Sequence, residues 1–134
     1  MKLLLDTHIL LWVLTGDSKL SEKAVKLIQN PGNTAYFSAI SSWEVAIKHA
    51  KRPNNIKFTG VKFTERCLDA GFISLPVSDD YIAALESLSR PDDAPPHRDP
   101  FDRMLIAQAK SEDMLFLTHD MLLPYYHEPC VILV

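Results

Sequence analysis

The sequence predicts an α/β sandwich around a mainly parallel sheet of about five strands. Two observations carry that expectation. Short apolar runs alternate along the chain with longer stretches of helical periodicity. The first run, Lys2–Leu5, is continuously apolar after its lysine, as in a strand buried on both faces and unlike an alternating, half-exposed one. At 134 residues the chain is long enough for one domain with a substantial core but not for two, so residues 1–134 are expected to form a single domain.

After the first strand comes a short apolar helix, His8–Leu14, and then a helix capped by Ser21, with Ala24, Leu27 and Ile28 on one face. The turn "NPGNT" leads to a second strand, Ala35–Ser38. "ISSWEVAIKHAKR" is a helix ended by Pro53, and residues 54–60 are a loop. "VKFTERCLDAG" is a helix stopped by Gly71, "FISLPV" a third strand, and "SDDYIAALESL" a helix capped by Ser78. Four of the nine prolines fall within ten residues of "SRPDDAPPHRDP", which must be a loop. "DPFDRMLIAQAKSED" is a strong helix, "LFLTHD" a fourth strand, and "CVILV" a fifth after a brief turn.

Composition narrows the function classes. With 47% hydrophobic and 23% charged residues, the chain has the balance of a soluble globular protein. A net charge of -3 gives no general attraction to nucleic acid or acidic membranes, so a polyanion would need a local patch or a metal. Cys67 and Cys130 are too few for a disulfide framework and form no zinc motif, which fits a reducing, cytoplasmic setting. Lys2 and the leucines after it imitate a signal peptide, but Asp6 and His8 interrupt the run and no cleavage site follows Leu14. No apolar run reaches the roughly 18 residues of a membrane span.

The acids fall in a pattern. In an open parallel sheet, ligands bind beyond the carboxyl ends of the strands. Asp6 ends the first strand, Glu44 follows the second, Asp99 and Asp102 open the helix after the proline loop, and Asp120 ends the fourth strand. Each has a structural alternative: Asp6 and Asp99 as helix caps, Ser41 and Glu44 as a capping box, and Asp120 as the cap of a turn. Together they are harder to explain that way, because two carboxylates 4 Å apart repel by roughly 4 kcal/mol at an effective dielectric near 20. Protonation or a cation must relieve that repulsion. All these donors are oxygens, so Mg²⁺ or Mn²⁺ is the natural guest, and water held on such an ion can attack phosphorus.

The stretches "LLLDTHILLW", "SAISSWEVAIK", "HRDPFDRMLIAQA" and "LTHD", in that order, resemble the PIN-domain ribonucleases, and more closely the VapC-type toxins of toxin–antitoxin pairs. The resemblance implies a three-layer α/β/α sandwich and an acidic metal pocket of Asp6, Glu44, Asp102 and Asp120, with Asp99 as either a further ligand or only the helix cap. It places Thr118 where the family often has a small hydroxyl residue near the site. It further implies Mg²⁺- or Mn²⁺-dependent cleavage of RNA, a cognate antitoxin as protein partner, and a homodimer. The competing haloacid dehalogenase pattern requires D-x-D, whereas this strand ends Asp6-Thr7-His8.

Other residues carry two readings each. His97 and Arg98 either support the scissile phosphate or are exposed loop residues. His8 and His119 are expected to be structural, since a hard metal prefers oxygen. The basic run Lys48–Lys57 is either a solvated helix end or a grip on RNA phosphates. Trp12 and Trp43 are expected in the core or a partner interface, and Ile9, Leu11 and Trp12 are candidate antitoxin contacts. Two other functions compete with a ribonuclease toxin: a non-catalytic binding module, and a structure-specific DNA nuclease.

Overall fold

Leu3, Leu4 and Leu5 are fully buried, and they divide the core between them. Successive side chains of a strand point to opposite faces. Leu3 and Leu5 therefore pack with Ile9, Phe37, Val45 and Phe63, while Leu4 packs with Leu105, Ile106 and Phe116 on the other side. In this computed structural model, which describes residues 1–134, the five strands are β1 (Lys2–Leu5), β2 (Thr34–Ser38), β3 (Ile73–Leu75), β4 (Leu115–Thr118) and β5 (Val131–Leu133). Every pair is parallel and the order is β3-β2-β1-β4-β5. The expected sheet is thus wholly parallel, with β1 at its centre. The chain first builds outward from β1 through β2 and then returns to the other side of β1 with β4. That reversal opens a crevice at the carboxyl ends of β1 and β4.

Six helices cover the sheet: α1 (Thr7–Thr15), α2 (Glu22–Gln29), α3 (Ala39–Lys51), α4 (Gly60–Asp69), α5 (Ile82–Ser87) and α6 (Pro100–Ser111). The side chains of α1 and α4 belong to the core on the Leu3 face, and those of α6 to the core on the Leu4 face. α3 straddles the two, with Ile40 in one cluster and Val45 in the other. Gly16, at φ 64, ends α1 in the left-handed conformation that suits glycine.

Several local expectations are corrected. Ser38, not Ser41, caps α3, accepting from the Ile40 N–H at 3.0 Å, so Ser41 and Glu44 lie inside the helix and the capping-box reading fails. α4 begins at Gly60 rather than after it, capped by Thr59. A Cβ on Gly60 would lie 2.7 Å from the Ala46 Cβ, so the missing side chain lets α4 start against α3. β3 is only three residues, shorter than "FISLPV", with Pro76 following it. Ser78 caps a 3-10 turn, Asp79–Tyr81, before the short α5. β4 stops at Thr118, which leaves His119 and Asp120 in the loop beyond the strand. No helix is long and apolar enough to cross a membrane.

Candidate metal centre

Register brings the first acid to the crevice. Leu5 lies opposite Leu117, so the next residue, Asp6, comes up beside Thr118 and donates its N–H to the Leu117 carbonyl at 3.0 Å. One Asp6 oxygen accepts from the Thr7 N–H at 2.7 Å and the other from the Thr118 hydroxyl at 2.7 Å. Thr118 also accepts from the Asp120 N–H at 3.0 Å, and Asp120 in turn accepts from the Leu122 N–H at 2.8 Å. Asp120 does cap its turn, and through Thr118 it is tied to Asp6.

Glu44 enters from α3, nearly buried. The Thr7 hydroxyl donates to its Oε1 at 2.7 Å and lies 2.9 Å from the Ser41 hydroxyl. Lys48, one helical turn on, pairs with Oε2. Thus the first turn of α1 holds Glu44 with one residue, Thr7, that also binds Asp6 through its backbone.

The amino end of α6 supplies the remaining acids. Asp99 is the N-cap, its Oδ1 accepting from the Phe101 N–H at 2.8 Å and the Asp102 N–H at 3.2 Å, with Pro100 at the first helical position. Its other oxygen makes no hydrogen bond, and the residue lines the same cleft as Asp102. Asp102 is 8% exposed. Its Oδ2 lies 3.1 Å from His97 Nε2, and His97 Nδ1 lies 2.8 Å from the Tyr126 hydroxyl.

These segments enclose a cleft of about 300 Å³ lined by Asp6, Glu44, Asp99, Asp102 and Asp120 together with His8, Trp12, Lys48 and His119. Five carboxylates share it with one lysine. Burial, partly offset by the Thr118 and Thr7 hydrogen bonds and reinforced by Glu44 and Asp120, pushes Asp6 up to about 6. Burial, with the charges of Asp6, Asp99, Glu44 and Asp120, pushes Asp102 up to about 9. Burial holds His97 below its ordinary value. At neutral pH the His97–Asp102 contact therefore joins two uncharged groups and is not an ion pair. Burial would also lower Lys48, but the Glu44 hydrogen bond and charge outweigh it and the amine is held above its ordinary value.

The closest grouping of ligand atoms is His97, Asp102 and Asp120, all within 4.8 Å of one another. Asp6 and Glu44 line the same cleft, but their oxygens are already engaged by threonines and lysine. His97 is not the exposed loop residue of the simpler reading, since its side chain is 4% exposed. Arg98 is exposed and lines a neighbouring cleft instead. His8 and His119 flank Trp12 at the rim, with ring centroids 6.1 and 5.1 Å from it. Trp43 is 57% exposed, so the core is not its place. Ile9 is fully packed in the core and is unavailable to a partner, whereas Leu11 and Trp12 line a groove continuous with the acidic cleft. Thr7 is the site residue that sequence reasoning passed over, and Lys48, singled out there only as the start of a basic run, proves to pair with Glu44. The i,i+4 spacing of Glu44 and Lys48 was a usable signal; nothing local pointed to Thr7.

A family model described as PIN domain matches residues 3–124. No curated protein matches the sequence. Among solved structures, the chain is similar to VapBC2 from Rickettsia felis bound to a DNA fragment from their promoter, with TM-score 0.66 and 16% identity, over 100% of this chain and 98% of that one. It is also similar to FitAcB from Neisseria gonorrhoeae, with TM-score 0.57 and 23% identity, over 92% of this chain and 89% of that one. At these identities the likeness is one of fold.

The raised carboxyls have a consequence for stability. The folded protein keeps protons on Asp6 and Asp102 that the unfolded chain gives up near its ordinary 3.8, so metal-free stability falls as pH rises toward about 9. Neutral His97 acts in the opposite direction but only below about 6.5, and the thiols of Cys67 and Cys130, which burial also pushes up from 9.0, add a decline of their own above about pH 8, leaving pH 7 to 8 as the clean window. Denaturant titrations in a chelator are expected to show wild-type stability declining across that window and Asp102→Asn holding level. Stability that rises with pH there, or an equally steep decline in Asp102→Asn, would contradict the assignment.

Proposed function

The chain belongs to the PIN-domain family, and on that premise we propose that it is a Mg²⁺- or Mn²⁺-dependent endoribonuclease acting as the toxin of a toxin–antitoxin pair. The observation that carries this reading is the single cleft shared by Asp6, Glu44, Asp99, Asp102 and Asp120, acids from separate segments of the chain. The donor set fits a hard cation. Its carboxylates supply oxygens, and burial with the neighbouring acids raises two of them, Asp6 to about 6 and Asp102 to about 9, so that Asp102 keeps its proton at neutral pH, a strain that a divalent ion relieves. Asp6, Glu44, Asp102 and Asp120 would hold the ion, Asp6 and Glu44 turning an oxygen from their present partners toward it, with Asp99 chiefly the cap of α6. Bound there, the ion would supply Lewis acidity toward a phosphodiester and lower the pKa of water.

The chain's own groups set the geometry. Thr118 and the Thr7 N–H fix both oxygens of Asp6. His97, backed by Tyr126, fixes the Asp102 carboxyl and can donate Nε2–H once that carboxyl is ionised. Lys48 neutralises Glu44 and, 41% exposed, presents a cation to an incoming phosphate. The groove of Leu11 and Trp12 beside the cleft supports an antitoxin segment lying there and covering the acids. Trp43 and Val61, 57% and 73% exposed across α3 and α4, support a homodimer through that face.

Cleavage of single-stranded RNA with Mn²⁺ is expected to fall at least about a hundredfold in Asp6→Asn and Asp102→Asn, without loss of melting temperature. Asp99→Asn should keep most activity, and Asp99→Ala should lose about 1 kcal/mol of stability as a cap. Cleavage of DNA but not RNA would replace the reading with a DNA nuclease. Mn²⁺ binding without cleavage of either would indicate a binding module. Light scattering at micromolar concentration is expected to report a dimer that Trp43→Ser shifts toward monomer; a monomeric wild type would remove the dimer.

A further inference from the structure

A second cleft, of about 340 Å³, borders the acidic one, and its charge is opposite. Ser89, Arg90, His97, Arg98, Arg103 and Tyr126 line it. His97 is the partition: its ring faces this cleft, while its Nε2 reaches Asp102 at 3.1 Å. None of the three arginines has a carboxylate within 4.0 Å, although the chain carries 17 acids against 14 lysines and arginines.

Arg90 is the most telling of them. Its guanidinium carbon sits 5.2 Å from the Tyr126 ring centroid and 5.8 Å from that of Tyr125. Tyrosine faces favour that position and limit how the planar fork can turn. Its Nε and Nη2 are buried without a hydrogen-bond partner, and no other side-chain atom of the protein is in that state. Orphaned buried donors on a charged group are costly, and a small turn of the fork toward the cleft would give them an acceptor there. A planar fork held against aromatic rings, with two further guanidiniums nearby, suits an oxyanion that can accept bidentate bonds.

We propose that Arg90, Arg98 and Arg103 form a phosphate subsite that holds a phosphodiester of the RNA strand next to the one cleaved, on the His97 side of the carboxylate cleft. The inference rests on the ribonuclease reading. A strand whose scissile phosphate lies among the carboxylates must continue past them, and its next phosphate is repelled by the acidic rim at Asp99. The arginine cleft is where an acidic protein can hold that continuation. An acidic peptide meets the same arginines but has no need to run on across the carboxylates.

The test is anisotropy of a labelled single-stranded RNA with the full chain in chelator, where no turnover is expected, across a range of salt. Relative to wild type, Arg98→Gln/Arg103→Gln should weaken binding about tenfold or more at low salt. It should also flatten the slope of log K against log salt by about 0.7 for each phosphate that is no longer neutralised. Arg90→Lys keeps the charge and removes the fork, so affinity should fall with less change of slope. Lys62→Gln, at a remote surface pair, should match wild type. Unchanged affinity and slope in the arginine variants, beside Mn²⁺-dependent RNA cleavage by wild type, would overturn the subsite and leave the ribonuclease reading standing. Wild type that neither binds nor cleaves RNA would overturn both. Variants that keep RNA affinity but lose binding of a polyglutamate peptide would assign the arginines to a protein partner instead.

Discussion

The fold gathers more negative charge in one partly buried cleft than its single lysine can balance. Five carboxylates line the crevice between β1 and β4, where the order of strands in the sheet reverses, and one lysine answers them. At about 4 Å each pair of ionised groups repels by roughly 4 kcal/mol at an effective dielectric near 20, against a total stability of about 5–15 kcal/mol for a typical domain. Such a cluster persists only if its charge is removed. Without a cation the protein does this with protons, on Asp102 above all, because that group is both buried and surrounded by the other acids. The proposed function follows from the same constraint: an ion that replaces those protons gains the whole field that kept them there.

The surrounding groups divide the work of holding the acids apart and aimed. Asp6 has both oxygens fixed by threonines, and Glu44 by a threonine and a lysine. Asp99 uses one oxygen as cap, which leaves Asp102, three residues on, free of that duty and open to His97. His97 then connects the acidic cleft to the arginine cleft, so the two regions of opposite charge are separated by one neutral ring. A short path from a cation-demanding site to an anion-demanding one is the arrangement a phosphate-bearing chain would use.

Much of this was legible in residue order. The unbroken "KLLL" run marks a strand buried on both faces, and β1 is central, with three fully buried leucines. Asp99 before Pro100 reads as a cap and is one. The helical spacing of Asp102 with Leu105, Ile106 and Ala109 places it at the mouth of a buried face, and all four are buried. What escaped depends on partners far apart in the chain. Thr7 meets Glu44 37 residues away, and His97, tucked inward, has the Tyr126 hydroxyl, 29 residues on, as a hydrogen-bond partner. No local pattern distinguishes a histidine in a proline-rich loop that packs inward from one that stays in solvent. Ser41 with Glu44 imitated a capping box because the true cap, Ser38, ends the preceding strand, where a strand reading concealed its second role.

Counting protons puts this charge balance to the test. Calorimetric titration of Mn²⁺ into the metal-free protein, repeated at pH 7 in buffers of different ionisation enthalpy, separates the protons released from the heat of binding. If the ion takes the place of the proton held on Asp102, about one proton leaves for each ion bound, and release disappears in Asp102→Asn. Binding of Mn²⁺ with no release of protons at pH 7 would mean that the acids are already ionised without a cation, and protonation could not be what holds the cluster together.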